Sequence, residues 1–255
     1  MPEGWQHFPK VIVVKLEKDG SDVSEYEDAA AVKRVETGWR IAIADGASDA
    51  VFAGAWARML VRRFVRRPFL TTAGLAYPVR RLGRQWRRTY AQLELPWNVL
   101  RKLEQGAAAT MVGLVISLPH GRGAAGLWRA MSIGDACLFH VRGATLLQML
   151  PELAADDFGN SPALIYTDVA GIRRLAQGHV ATKGEWQKGD IFVLASDALA
   201  RWIRLRLGGG QGEWRDLLAH ADRPDRAFAF RNWAREEQAC RRLKNDDLTM
   251  VLCMT

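Results

Sequence analysis

Carboxylates in this sequence recur where apolar runs stop. Asp45 ends the run Ile41–Ala44, Asp135 follows Met131–Gly134, and Asp197 follows Ile191–Ser196. Glu27 and Asp28 precede Ala29–Val32, and Asp246 with Asp247 precedes Leu248–Met254. Short apolar runs of this kind read as strands. Ends of neighbouring strands can bring such side chains together at one edge of a sheet, where carboxylates repel unless cations neutralise them. Hard oxygen donors with no accompanying His/Cys set favour Mg²⁺ or Mn²⁺ over zinc. Taken singly, each acid also has an ordinary use: Asp45-Gly46 as a turn, Gly134-Asp135 as a hairpin connection, Asp197 as a helix N-cap, Asp246-Asp247 as a solvated loop.

Other chemistries have less support. Cys137, Cys240 and Cys253 are odd in number and lack CxxC spacing, which argues against a zinc site or a disulfide framework and fits a reducing cytoplasm. His7, His120, His140, His179 and His220 have no evident acid partner in sequence, so surface or structural roles are expected of them.

The elements that must position the acids follow from pattern. Strands are expected at Lys10–Leu16, Ala29–Val35, Trp39–Ala44, Ala108–Leu118, Gly126–Ile133, Cys137–Val141, Ala144–Leu150, Ile191–Ala195 and Leu248–Met254. Helical spacing begins after Ser48 or Asp49, either of which could cap it, and resumes at Arg81–Leu95 beyond a poorly patterned stretch holding Pro68 and Pro78. Further helices are expected over Trp97–Glu104, from Ser196-Asp197 to Leu205, and over Trp214–Ala221 and Arg223–Cys240. Residues 151–188 read as a long surface loop with one short strand. Strands in groups, with helices clustered after the third and before the last, predict an α+β fold with mainly antiparallel sheets carrying helices outside. The length of 255 residues and the 49% apolar content suit one domain over residues 1–255 and exclude a disordered chain. Met1–Lys10 does not read as a secretory signal, and the uncharged stretch Gly106–Gly121 is too short to span a bilayer comfortably.

The net charge of +8 is uneven. No acid lies between Asp49 and Glu94, an interval that holds ten arginines from Arg58 to Arg88. Their helical spacing beside apolar positions favours a solvated helix face or an acidic partner over nucleic acid.

The blocks Glu27–Ala29 (EDA), Ile41–Ser48 (IAIADGAS), Gly106–Ile116 (GAAATMVGLVI), Ser132–Arg142 (SIGDACLFHVR), Gly189–Leu199 (GDIFVLASDAL) and Asn245–Leu252 (NDDLTMVL) occur in an order that resembles the motif set of the type 2C, metal-dependent (PPM) serine/threonine protein phosphatases, in a divergent bacterial branch. The resemblance implies a four-layer αββα sandwich and two Mg²⁺ or Mn²⁺ ions that activate a water against a phosphate ester. Asp45 would bridge both metals, with the Gly46 carbonyl on one of them. Asp197 and Asp246 would complete one ion's ligands, and Glu27 and Asp28 would serve the other. Asp45, Asp197 and Asp246 are then the catalytic set, Asp135 matches a weak third metal site, and residues 151–188 match a flap beside the site. The implied partner is a phosphoprotein, with a cognate kinase; nucleic acid and a membrane span are not expected.

The sequence departs from that pattern in three places. The phosphate-gripping arginine before the Glu-Asp pair is missing from Ser21–Glu25, leaving Lys15, Lys18 or a loop arginine as substitutes. Ala47 stands where animal relatives place a histidine. Arg201 replaces the usual acidic partner of Asp135, weakening a third site. These departures motivate the alternative of a catalytically weak or inactive phosphatase-like regulatory domain.

Overall fold

Hydrophobic strand runs dominate the chain, and in the computed structural model they pair into two antiparallel sheets; the structure describes residues 8–119, 125–159, 161–168, 178–209, 213–221 and 223–255. Sheet A contains β1 (Lys10–Leu16), β6 (Cys137–Arg142), β7 (Thr145–Leu150), β10 (Asp190–Ala195) and β11 (Leu248–Met254), in the order β1-β11-β10-β6-β7. Sheet B contains β2 (Ala29–Val35), β3 (Gly38–Gly46), β4 (Ala108–Ser117), β5 (Gly126–Ile133) and β9 (His179–Trp186) in that order, with the short β8 (Ile165–Tyr166) pairing β4.

Strands buried on both faces explain why the runs are apolar rather than alternating. Ile41, Ile43, Val112 and Leu114 of sheet B meet Leu138, Phe192, Leu194 and Val251 of sheet A in a core between the sheets. On the far side of sheet B lie α1 (Ala53–Arg66) and α2 (Thr72–Tyr90), whose Trp56, Leu60, Phe64, Leu75, Val79 and Trp86 close a second core. On the far side of sheet A, α4 (Asp197–Gly209), α5 (Glu213–Ala221) and α6 (Arg226–Ala239) close a third. The short α3 (Trp97–Gln105) precedes β4 and buries no residue. The result is the αββα sandwich expected from the motif order.

Three expectations need correction. Helix α2 begins at Thr72, not Arg81, and runs through Pro78. A proline inside a helix costs about 3 kcal/mol. Burial of Leu75, Val79 and Trp86, each contributing roughly 1.5–3 kcal/mol, outweighs that cost, and the Thr71 hydroxyl caps the start by accepting from the Gly74 N–H at 3.1 Å. Residues 151–188 are not loop throughout, because β9 pairs with β5 along its whole length. As an edge strand with Val180, Ala181, Lys183 and Glu185 exposed, β9 lacks the apolar run by which its neighbours are recognised.

Helix α1 also starts later than its presumed caps: Phe52, in the left-handed region at φ 57°, holds the N-cap position in place of Ser48 or Asp49.

Candidate active site

Antiparallel paths return alternate strand ends to the same side of each sheet. In sheet A, Leu16 of β1 pairs with Leu248 of β11, and Ala195 of β10 pairs with Met250 and Cys137. In sheet B, Ala29 faces Ala44, Asp45 faces Thr110, and Ile133 faces Met111. Asp28, Asp45, Asp135, Asp197 and Asp246 therefore all leave the sheets at one end of the sandwich.

Local bonds set each acid in place. A 3-10 turn at Val23–Glu25 carries a capping box, with the Asp22 carboxylate accepting from Ser24 N–H and the Glu25 carboxylate from Asp22 N–H. It delivers Tyr26, whose hydroxyl donates to the Leu248 carbonyl at 3.1 Å and pairs with Thr249 Oγ1. Asp247 accepts from the Glu27 N–H at 2.7 Å and the Lys18 N–H at 3.0 Å, tying the Glu27-Asp28 segment to the start of β11. Ser196 Oγ accepts from Thr249 N–H while Ser196 N–H donates to the Thr249 carbonyl, each at 3.0 Å, so Asp197 is fixed relative to Asp246. Asp197 is the first residue of α4, and its Oδ1 accepts from the Ala198 N–H. Helix α1 presses on the same segment: a Cβ on Gly54 would lie 2.9 Å from the Tyr26 carbonyl oxygen and 3.0 Å from Glu27 Cα. Gly134, at φ +90°, makes the turn that presents Asp135.

Burial first, and the neighbouring acids second, raise the pKa values of Glu27, Asp28, Asp45, Asp135 and Asp197. Burial pushes Asp28 up to about 8, and the charge of Asp247 adds to it. Burial, then the charges of Asp28 and Asp197, holds Asp45 well above the carboxylate range. Burial takes Asp197 to about 6 against the pull of Lys244, and burial likewise raises Asp135 and Glu27. Both carboxyl oxygens of Asp28 are buried without a hydrogen bond of good geometry, although Asp45, Ser196 and Thr249 are its neighbours. Such an orphan costs about 1–3 kcal/mol, and more when charged.

Among the described residues Lys244 forms ion pairs with this cluster. Lys244 Nζ lies 2.5 Å from Asp246 Oδ2 and 3.6 Å from Asp197 Oδ2. Burial opposes its charge, but the two aspartates outweigh it and hold the ammonium above its ordinary pKa. Among the described residues no three His, Cys, Asp or Glu side chains close on one point as a metal's ligands do. The acids are gathered around the end of the sandwich, with Lys244 against two of them. The donor set nevertheless fits a divalent cation: oxygens only, mutually repelling, with neither Asp28 oxygen well hydrogen-bonded.

Sequence reasoning placed the acids but missed the roles of Tyr26, Ser196, Asp247, Thr249 and Lys244. Asp247, adjacent to a presumed ligand, was the one legible signal. Arg201 holds a backbone carbonyl: its Nε donates to the Ala155 carbonyl at 3.0 Å, and Arg204 likewise holds the Leu153 carbonyl. Asp135 instead accepts from the Gly159 N–H at 3.2 Å, so residues 153–159 are tied down beside the site. The rest of the expected flap falls partly outside the described residues. His140, expected to have no acid partner, has one in Asp190 at 2.9 Å, but at the opposite end of sheet A and buried between Phe192 and Trp128. His7 and His120 lie outside the described residues.

No protein-family model matches the sequence, and no curated protein matches it. Solved structures do. The PPM Ser-Thr phosphatase MsPP from Mycobacterium smegmatis, in complex with cacodylate, is similar at a TM-score of 0.53 and 15% identity, over 96% of this chain and 97% of that one. The chain has the PPM phosphatase fold. Within that fold it is also similar to the photosystem II phosphatase PBCP (TM-score 0.60, 13% identity, 97% of this chain and 98% of that one). The catalytic domain of serine threonine protein phosphatase PstP, in complex with two manganese ions, matches at a TM-score of 0.51 and 18% identity, over 96% and 99%. No helix among the described residues is long and apolar enough to cross a membrane.

Proposed function

We propose that the chain is a metal-dependent phosphoprotein phosphatase acting on phosphoserine or phosphothreonine, with two Mg²⁺ or Mn²⁺ ions. The observation that carries this reading is the meeting, at one end of a PPM fold, of Asp28, Asp45, Asp135, Asp197 and Asp246, with both oxygens of Asp28 buried and not well hydrogen-bonded. Asp45, Asp197 and Asp246 would hold one ion and Asp45, Glu27 and Asp28 the other, with the Gly46 carbonyl serving one of them; Asp135 would serve a weak third. When bound, the ions supply an activated water and charge neutralisation at the phosphoryl oxygens.

The chain's own residues do the rest. Ser196, Asp247 and Thr249 hold the acids from both sheets in register. Lys244 supplies counter-charge to Asp197 and Asp246, which a bound divalent cation would supply in its place. Lys15 and Arg58 stand in for the missing phosphate-gripping arginine: burial lowers the Lys15 pKa, with Asp28 opposing and the nearby Arg58 charge adding to that shift, and Arg58 Nη1 lies over Gly54 beside the Tyr26–Glu27 segment. With Ala47 beyond Gly46, protonation of the leaving group falls to water.

The reading is tested by Mn²⁺-dependent hydrolysis of a small aryl phosphate, which Asp197→Asn should abolish. Turnover no higher than that of the variant at saturating Mn²⁺ would reject it. The second reading, a phosphatase-like domain that binds a phosphoprotein without hydrolysing it, draws on Lys244 against two ligands and Arg201 in place of an acid. It expects phosphopeptide binding that survives Asp197→Asn, without turnover. The setting supported by cysteine usage is the cytoplasm, opposite a kinase that supplies the phosphoprotein.

A further inference from the structure

Far from the acids, the C-terminal half of α1 and the length of α2 form a groove of about 830 Å³. Its rim carries Arg63, Arg66, Arg67 and Arg81, and its wall includes Phe69, Leu70, Pro78 and Leu82. A second hollow shares Tyr77, Arg81 and Gln85 with it and adds Arg84 and Arg88, so the basic channel continues along α2. Tyr77 is 68% exposed at the junction.

Three observations separate this face from an ordinary solvated helix. Among the described residues none of the ten arginines from Arg58 to Arg88 pairs with a carboxylate, whereas exposed basic faces usually interleave both signs. The guanidiniums of Arg67 and Arg81 act on Arg63, whose pKa is lowered first by burial and then by both of them. Finally, the arginines border a concavity with an apolar wall rather than a flat surface.

We propose that this channel is a docking groove for an acidic peptide segment of a partner protein, with carboxylates on Arg67, Arg81 and Arg84 and an apolar side chain against Phe69, Leu70 and Leu82. Arginine's planar fork matches carboxylates two bonds at a time. A pocketed wall suits an extended peptide carrying an apolar anchor. Single-stranded nucleic acid needs successive aromatic platforms, and among the residues lining the channel Tyr77 is the exposed ring. The groove lies at the end of α1 opposite Gly54, so an acidic tract could engage it while another part of the same partner reaches the carboxylates.

Fluorescence anisotropy with a labelled peptide of alternating Asp and Glu around one Phe tests the proposal on the full chain, independently of any metal or turnover. Binding at low salt that weakens as salt rises is expected. The double variant Arg67→Glu/Arg81→Glu should weaken it at least about tenfold, a loss of about 1.4 kcal/mol, with Arg67→Gln/Arg81→Gln shifted in the same direction. Arg87→Glu, on α2 but outside the channel, should leave it unchanged. Circular dichroism melts establish that each variant is folded. No binding at low salt, equal loss in the Arg87 variant, tighter binding of an oligothymidylate, or uptake by phosphatidylglycerol vesicles without peptide binding would each overturn the proposal.

Discussion

Asp28 sets the sharpest conflict between stability and use. A buried acid with neither oxygen well bonded persists only where something outweighs its cost. If that something is a divalent ion, Asp28→Asn should raise the melting temperature of the chelated protein by about 2–4 °C, since about 1 kcal/mol of strain is relieved in a chain of this size. The same variant should lose part of the stabilisation that Mn²⁺ gives, which for the parent protein is about 2.7 kcal/mol at a hundredfold excess over Kd. Melts with chelator and with Mn²⁺ measure both. Lys244 makes the complementary case. Its ammonium competes for Asp197 and Asp246, so Lys244→Ala should tighten Mn²⁺ binding, read by calorimetry, and the gain should shrink as salt screens the pair. Unchanged affinity would mean that the contact is incidental.

At the scale of elements, the site depends on how closely α1 approaches the Tyr26–Asp28 segment. Gly54→Ala places a methyl group 2.9 Å from the Tyr26 carbonyl oxygen, and backbone cannot yield as a side chain can. We expect a loss of about 1–3 kcal/mol and weaker Mn²⁺ binding, seen together in denaturant titration and calorimetry. Elements were also where sequence reading succeeded unevenly. Runs such as Ile191–Ala195 and Leu248–Met254 are buried on both faces, so their hydrophobicity announces them, and the acids at their ends were legible with them. Strand β9 is half exposed and carries no such run. The first turns of α2 hide behind Pro78, a residue that local propensity reads as a stop and that tertiary burial overrules. Lys244 escaped because a lysine two residues before Asp246 looks like any solvated loop residue until the fold turns it toward Asp197.

At the scale of the molecule, the end of sheet A opposite the acids is held by a carboxylate whose charge is paired. Asp190, with its side chain fully buried, accepts two bonds from Arg142 at 2.6 and 2.9 Å, one from the Gln187 N–H, and pairs with His140 Nε2. Burial alone would raise its pKa, but these partners, Arg142 first, bring it down to about 2. A carboxylate whose pKa is depressed by folding stabilises above its unfolded value near 4 and loses that contribution as pH falls toward 2. Asp190→Asn should therefore destabilise the protein at neutral pH by about 1–3 kcal/mol and flatten the fall in stability between pH 4 and 2, while leaving Mn²⁺ affinity unchanged. Acid titrations of melting temperature for both proteins test this.

The second place of β11 in sheet A has a consequence for biogenesis. Strands β2 to β5 can zip together while the chain is still being synthesised, but β1 and β10 have nothing to lie between them until Leu248–Met254 emerges from the ribosome. Asp246 arrives with that strand, so a ribosome-arrested chain ending before it would have one sheet competent to fold, the other open to protease, and an incomplete cluster of acids. Assembly of the second sheet and gathering of the acids at its end thus coincide in a single event.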